Sequence, residues 1–155
     1  MLFEDFAMGN RYELGRHTFT AEDIIQFATR YDPQPFHTDE VAAARSHFGG
    51  LVASGWHTAS VYMKLQARAI AERGTELAQS GPSPGFRNLR WPRPVVAGDT
   101  LSYASEVQGK RELKTRPDWG VVFFHITARN QRNELAFEFE ATAFIARRNS
   151  GASAR

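Results

Sequence analysis

The chain has 155 residues, enough for one domain with a buried core. Its 42% hydrophobic and 23% charged residues speak against a disordered, fibrous or coiled-coil chain, and a formal net charge of +2, with mixed signs along the chain, implies no nucleic-acid partner. With no cysteine there is no disulfide framework, thiolate nucleophile or cysteine zinc site. The start, MLFEDFAMGN, does not read as a signal peptide. No apolar run approaches the roughly 20 residues of a membrane-spanning helix, so a cytoplasmic protein without membrane contact is expected.

In chain order, RYELGRHTF reads as a first strand. TAEDIIQFATRY then places Ile24, Phe27, Ala28 and Tyr31 on one helical face, with Thr20 as N-cap and Asp23 at the acidic end of a capping box. The next stretch, YDPQPFHTD, carries two prolines that push Asp32 and Gln34 into extended or turn conformations. The reading there is an irregular loop, able to turn Asp32 and His37 toward one point. TDEVAAARSHF reads as a second short helix capped by Thr38 or Asp39 and stopped at Gly49 and Gly50. Ser54 and Gly55 open a long helix that is apolar on most sides and therefore buried, ending near Gly74. QSGPSPG, from Gln79 to Gly85, is a loop. Four further strands follow: FRNLRWPRPVV, TLSYASEV, WGVVFFHITARN and ELAFEFEATAFIAR, the last two joined by a hairpin at RNQRN. In the last strand Leu135, Phe137, Phe139, Ala141, Ala143 and Ile145 alternate with polar residues, as in a sheet with one covered face. The pattern is α+β: about five mostly antiparallel strands facing one long helix. The domain is expected over residues 3–148, with 149–155 a flexible tail.

On residue type alone, Asp32 is a turn former and His37 the start of the next helix. The motif around them points further. Asp32, Gln34, Pro35 and His37 resemble the D-x-N-P-x-H signature of the MaoC-like dehydratases and (R)-specific enoyl-CoA hydratases, which have the hotdog fold. LVASGWHT, Leu51 to Thr58, is similar to that family's glycine-headed central helix, and RPVVAGDTL, Arg93 to Leu101, to a strand entry common in the fold. One departure stands at Gln34, where the family has asparagine: the same amide, one methylene longer.

The resemblance implies hydration of a 2-enoyl thioester, or the reverse dehydration, with Asp32 and His37 as the acid/base pair. It also implies that the Gly55 N–H, at the first turn of the central helix, receives the charge developing on the thioester oxygen. Gln34 and Gly55 are thus substrate-binding residues. Gly55 equally suits close passage of a buried helix past the sheet. The substrate is a thioester of coenzyme A or acyl carrier protein, and Arg87, Arg90 and Arg93 are either phosphate contacts or a solvated strand edge. Trp56, Trp91, Phe86 and Phe36 read as core or as acyl-pocket walls.

His57 reads as a packed histidine, and His17, His47 and His125 as structural or exposed. No metal-ligand spacing occurs among the five histidines, so no metal or other cofactor is expected. Ser54 and Ser60 lack a G-x-S-x-G setting, against a serine hydrolase. A hotdog thioesterase and a non-catalytic acyl-thioester binding module are the alternatives. A homodimer is expected, because a single hotdog leaves a sheet edge to cover.

Overall fold

A computed structural model describes residues 1–73 and 80–148. After a 3-10 turn at Phe3–Asp5 come strand β1 (Arg11–Thr18), helices α1 (Ala21–Tyr31), α2 (Pro35–Thr38), α3 (Glu40–Arg45) and α4 (Gly55–Glu72), and strands β2 (Phe86–Arg90), β3 (Thr100–Glu112), β4 (Trp119–Arg129) and β5 (Leu135–Ala146). The strands form one sheet in the order β1-β3-β4-β5-β2, with every pair antiparallel. This is the single hotdog fold, a five-stranded sheet around the long helix α4.

The alternation along β5 turns Phe137 and Phe139 into the core, where they join Tyr103 and Ile126 from the neighbouring strands and Val61, Tyr62 and Ala69 from α4. Burying a valine, isoleucine or phenylalanine side chain supplies about 1.5–3 kcal/mol. Two polar details fix the helix on the sheet. Tyr103 donates its hydroxyl to the Thr58 carbonyl at 3.1 Å. Gly15, at a register shift in β1, has φ +127, and a side chain there would meet Leu65 of α4 at 3.3 Å. No helix among the described residues is long and apolar enough to cross a membrane.

Several expectations change. Helix α4, read as buried on most sides, buries one face through His57, Thr58, Val61, Tyr62 and Ala69 and leaves Trp56 and Met63 exposed. Pro35–Thr38, read from the sequence as irregular, forms a single helical turn with Pro35 in its first residues. The prolines do keep Asp32 (φ −155, ψ 67) and Gln34 (φ −76, ψ 141) out of the helical region. Proline at the first helical position loses only an N–H that has no intrahelical acceptor, so Pro35 starts a turn as readily as Pro33 ends one. Asp39 rather than Thr38 caps α3, accepting from the Ala42 N–H at 2.8 Å, and α3 stops at Arg45, short of the glycines. The strand expected over FRNLRWPRPVV covers only Phe86–Arg90, since Pro92 and Pro94 have no N–H to give a ladder. Val96 makes an isolated bridge to Val52 instead. β3 runs on to Glu112, past a register shift between Val107 and Gly109. The helix stop expected at Gly74, the loop's first residue Gln79 and the tail 149–155 lie outside the described residues.

Candidate active site

Three chain segments converge on Asp32. It is the C-cap of α1, its backbone N–H bonded to the Ala28 carbonyl at 2.9 Å. After Pro33 the chain turns into α2, which presents His37 from its single turn. The strand-like segment before α4 supplies Val52 and Ser54. Asp32 and His37 come together: Asp32 Oδ2 lies 3.4 Å from His37 Nε2. The imidazole is buried, and its Nδ1 lies 2.7 Å from the Val52 carbonyl oxygen. A carbonyl only accepts, so Nδ1 carries a proton, and in the neutral ring Nε2 is the bare nitrogen turned toward Asp32.

Both carboxylate oxygens of Asp32 are held. Gln34 Nε2 donates to Oδ1 at 2.8 Å and Ser54 Oγ donates to Oδ2 at 2.7 Å. Burial raises the pKa of Asp32, but the bonds from Ser54 and Gln34 and the nearby His37 outweigh it, leaving the carboxyl below the ordinary aspartate value. The extra methylene of Gln34 thus lets its amide curl back onto Asp32.

Ser54 was missed by sequence reasoning as a member of this site. It is almost fully buried and does two jobs, donating to Asp32 and, as N-cap of α4, accepting from the Trp56 N–H at 3.2 Å. Its position immediately before Gly55, at a helix start, was the available signal. Gly55 is the first residue of α4. Its N–H has no intrahelical acceptor by position, and no hydrogen bond to it forms among the described residues. The glycine is also required by packing. A Cβ there would fall 2.5 Å from Cε2 of Trp91, whose indole N–H lies 3.1 Å from both the Gly55 carbonyl and Thr58 Oγ1.

Asp32, Gln34, His37 and Gly55 all line one cavity of about 340 Å³, with Phe36, Trp91 and Arg93 at its walls. A second cavity, of about 540 Å³, runs between α4 and the sheet and is lined largely by apolar side chains such as Ala59, Tyr62, Leu89 and Phe139. Trp56 borders both. Of the aromatics read as core or pocket wall, Trp56, Trp91 and Phe86 are exposed, and all three border a cavity. Arg90 and Arg93 are exposed and loosely paired with Glu138 (4.0 Å) and Glu134 (3.7 Å).

Three of the other histidines face carboxylates. His125 Nε2 meets Glu138 at 2.9 Å. His17 Nε2 lies 2.6 Å from Asp23 Oδ2, and His57 Nε2 lies 3.4 Å from the same oxygen. His57 is packed as expected, stacked on Phe27 with ring centres 4.5 Å apart. Burial holds its pKa below the ordinary histidine value, against the attraction of Asp23 and together with the repulsion of His17.

Residues 5–123 match the family model described as MaoC like domain. Among solved structures, a MaoC-like dehydratase from Rhodospirillum rubrum is 40% identical with a TM-score of 0.84, covering 96% of this chain and 99% of that one. A protein from Archaeoglobus fulgius named monoamine oxidase regulatory protein is 29% identical with a TM-score of 0.84, covering 96% of each chain. An (R)-hydratase from A. caviae, 23% identical over 90% of this chain and 97% of that one with a TM-score of 0.71, shares the fold.

Proposed function

Because this chain belongs to the MaoC-like domain family, we propose that it hydrates 2-enoyl thioesters to (R)-3-hydroxyacyl thioesters or runs the reverse dehydration. The observation that carries this reading is the pair of acceptors, Asp32 Oδ2 and His37 Nε2, set 3.4 Å apart on one cavity that Gly55 also lines. With the carboxylate ionised and the imidazole neutral, a water molecule placed between these two acceptors would give one O–H to each. Its remaining lone pairs then face the cavity.

In hydration, the water oxygen bonds to the β-carbon as one of its protons passes to the Asp32/His37 pair. The electrons of the double bond move onto the thioester oxygen, where the Gly55 N–H and the positive end of α4 meet the charge. The enolate then collapses, its α-carbon takes the proton back from the pair, and the thioester bond stays intact. Dehydration follows the same path in reverse. The role of Ser54 is to position the carboxylate: it touches Asp32 and not the reacting atoms.

We assign the acyl chain to the 540 Å³ cavity, entered past Trp56, and the carrier's phosphates to the rim near Arg93. The carrier is coenzyme A or acyl carrier protein. β2 ends the sheet on one side, and Phe86, Trp56 and Met63 are exposed along the cavity beside it, so β2 pairs with a second copy to make a homodimer. A chain without cysteine needs no oxidising compartment, and we place the reaction in the cytoplasm.

Incubation with crotonyl-CoA tests the reading. The expected result is loss of enoyl absorbance with no free thiol. Thiol release would make the protein a thioesterase, and tight binding without either change would make it a binding module.

A further inference from the structure

A second group of chemistry-bearing side chains lies at the other end of α1. His17 is the last residue but one of β1, Asp23 sits in the first turn of α1, and His57 sits in the first turn of α4. Asp23 and Asp32 are nine residues apart, about 13 Å along a helix axis, and none of the three residues lines either cavity. The group therefore does not belong to the site already described.

Both histidines turn the same atom, Nε2, toward one carboxylate oxygen, Asp23 Oδ2, at 2.6 Å for His17 and 3.4 Å for His57. Each residue offers one ligand atom, and the three atoms lie within 4.8 Å of one another, the only such trio among the described residues. We propose that His17, Asp23 and His57 form a binding site for a first-row divalent cation, Zn²⁺ being the best match, held by two imidazole nitrogens and one carboxylate oxygen.

The three donor atoms lie within reach of a single tetrahedral ion. A tetrahedral ion with bonds of about 2.0–2.1 Å sets its ligands about 3.4 Å apart, which His57 and Asp23 already meet. The His17 contact must open by less than an ångström, and the two imidazole nitrogens, no more than 4.8 Å apart, must settle to the same spacing. Two imidazoles and a carboxylate are a borderline-soft donor set that suits zinc and its neighbours and disfavours magnesium or calcium. Three ligands leave a fourth position for water, and the site is reached from solvent because the side chains of His17 and Asp23 are 25% and 34% exposed.

The ligands are also held in place. His57 is clamped between Phe27, stacked at 4.5 Å, and Phe19, edge-on at 4.9 Å. Asp23 is anchored by its backbone N–H, which bonds to Thr20 Oγ1 at 3.2 Å. A bound ion would tie the end of β1 to the first turns of both α1 and α4, and so brace the two helices that carry Asp32 and Gly55. The wide sequence separation of His57 from the other two ligands explains why no short ligand motif marks the site.

The test is a pair of titrations on the chelator-treated full-length protein. ZnCl₂ should raise Tm progressively with concentration, and CoCl₂ should produce the visible absorption bands of a low-symmetry cobalt site. His17→Gln, a change at a partly exposed position, should abolish the cobalt bands and weaken zinc binding by at least about tenfold, the scale on which even outer-sphere partners of metal ligands act. Asp23→Asn should do the same, while His47→Gln should respond like the parent protein. No Tm rise and no cobalt bands in the parent protein would overturn the proposal. An undiminished response in His17→Gln, or a lost one in His47→Gln, would overturn it equally, because the ion would then be bound elsewhere.

Discussion

Asp32 with His37 and Asp23 with His57 are two carboxylate and imidazole pairs at opposite ends of α1, and in each the facing nitrogen and oxygen are 3.4 Å apart. The separation is the same, and the surroundings differ in three ways. His37 has its far nitrogen fixed on the Val52 carbonyl, whereas the far nitrogen of His57 is buried without a hydrogen-bond partner among the described residues. Asp32 is held by an amide and a hydroxyl, whereas Asp23 is shared with a second imidazole. The first pair opens onto a cavity that Gly55 also lines, and the second lines neither cavity. The lesson is that pair distance alone does not assign acid/base chemistry. A fixed tautomer and room for a substrate decide it.

The largest expected effect is at the first pair. Asp32→Asn or His37→Gln should lower kcat for crotonyl-CoA by about 10²–10⁴, the range for losing a general acid or base, with unchanged circular dichroism. A loss of only a few-fold in both would remove the pair from the reaction. At the second pair, His57→Gln should cost about 1–3 kcal/mol of stability, as buried polar changes do, yet lower kcat/KM by less than about tenfold. If its turnover fell as far as that of the His37 variant, the distinction between the two pairs would collapse.

A smaller effect is expected from Gly55→Ala. Its Cβ would meet the Trp91 ring, so the first turn of α4 must shift, at a cost of about 1–3 kcal/mol for overpacking and with a fall in kcat. Combining it with Trp91→Ala should restore stability. Full recovery of turnover as well would assign Gly55 to packing alone, whereas stability without turnover would keep the N–H in the reaction.

The subtlest expected change is in pH dependence. Because the folded-state pKa of Asp32 is depressed, the stability from its hydrogen bonds is present above the ordinary aspartate value and is lost as pH falls through the lower folded value. The acid limb of the kcat/KM profile should lie correspondingly low. Ser54→Ala removes one of the two donors opposing burial, so the pKa should rise and the acid limb move to higher pH. An acid limb that stays in place would mean that another group limits the rate at low pH.

Local patterns were legible wherever neighbouring residues determine the outcome. Thr20 caps α1 as its spacing indicates, and the period of two along β5 marks the covered face of the sheet. Asp32 and His37 were legible because two prolines restrict the short chain between them, although the same prolines concealed that Pro35 starts a helical turn. Ser54 was not legible as a partner of Asp32, 22 residues away, because only the crossing of α4 beside the end of α1 brings them together. The same holds for His57 and Asp23, read apart as a packed histidine and a capping residue.

By itself the sequence determined the order of strands and helices and the short connector that presents Asp32 and His37, because backbone restriction and hydrophobic periodicity act over a few residues. Only the tertiary structure decided that Ser54 holds one oxygen of Asp32, that Trp91 lies against Gly55, and that imidazoles from β1 and α4 share one carboxylate oxygen of α1. Those contacts join groups whose separation is set by how the helices cross the sheet, and no local pattern encodes that crossing.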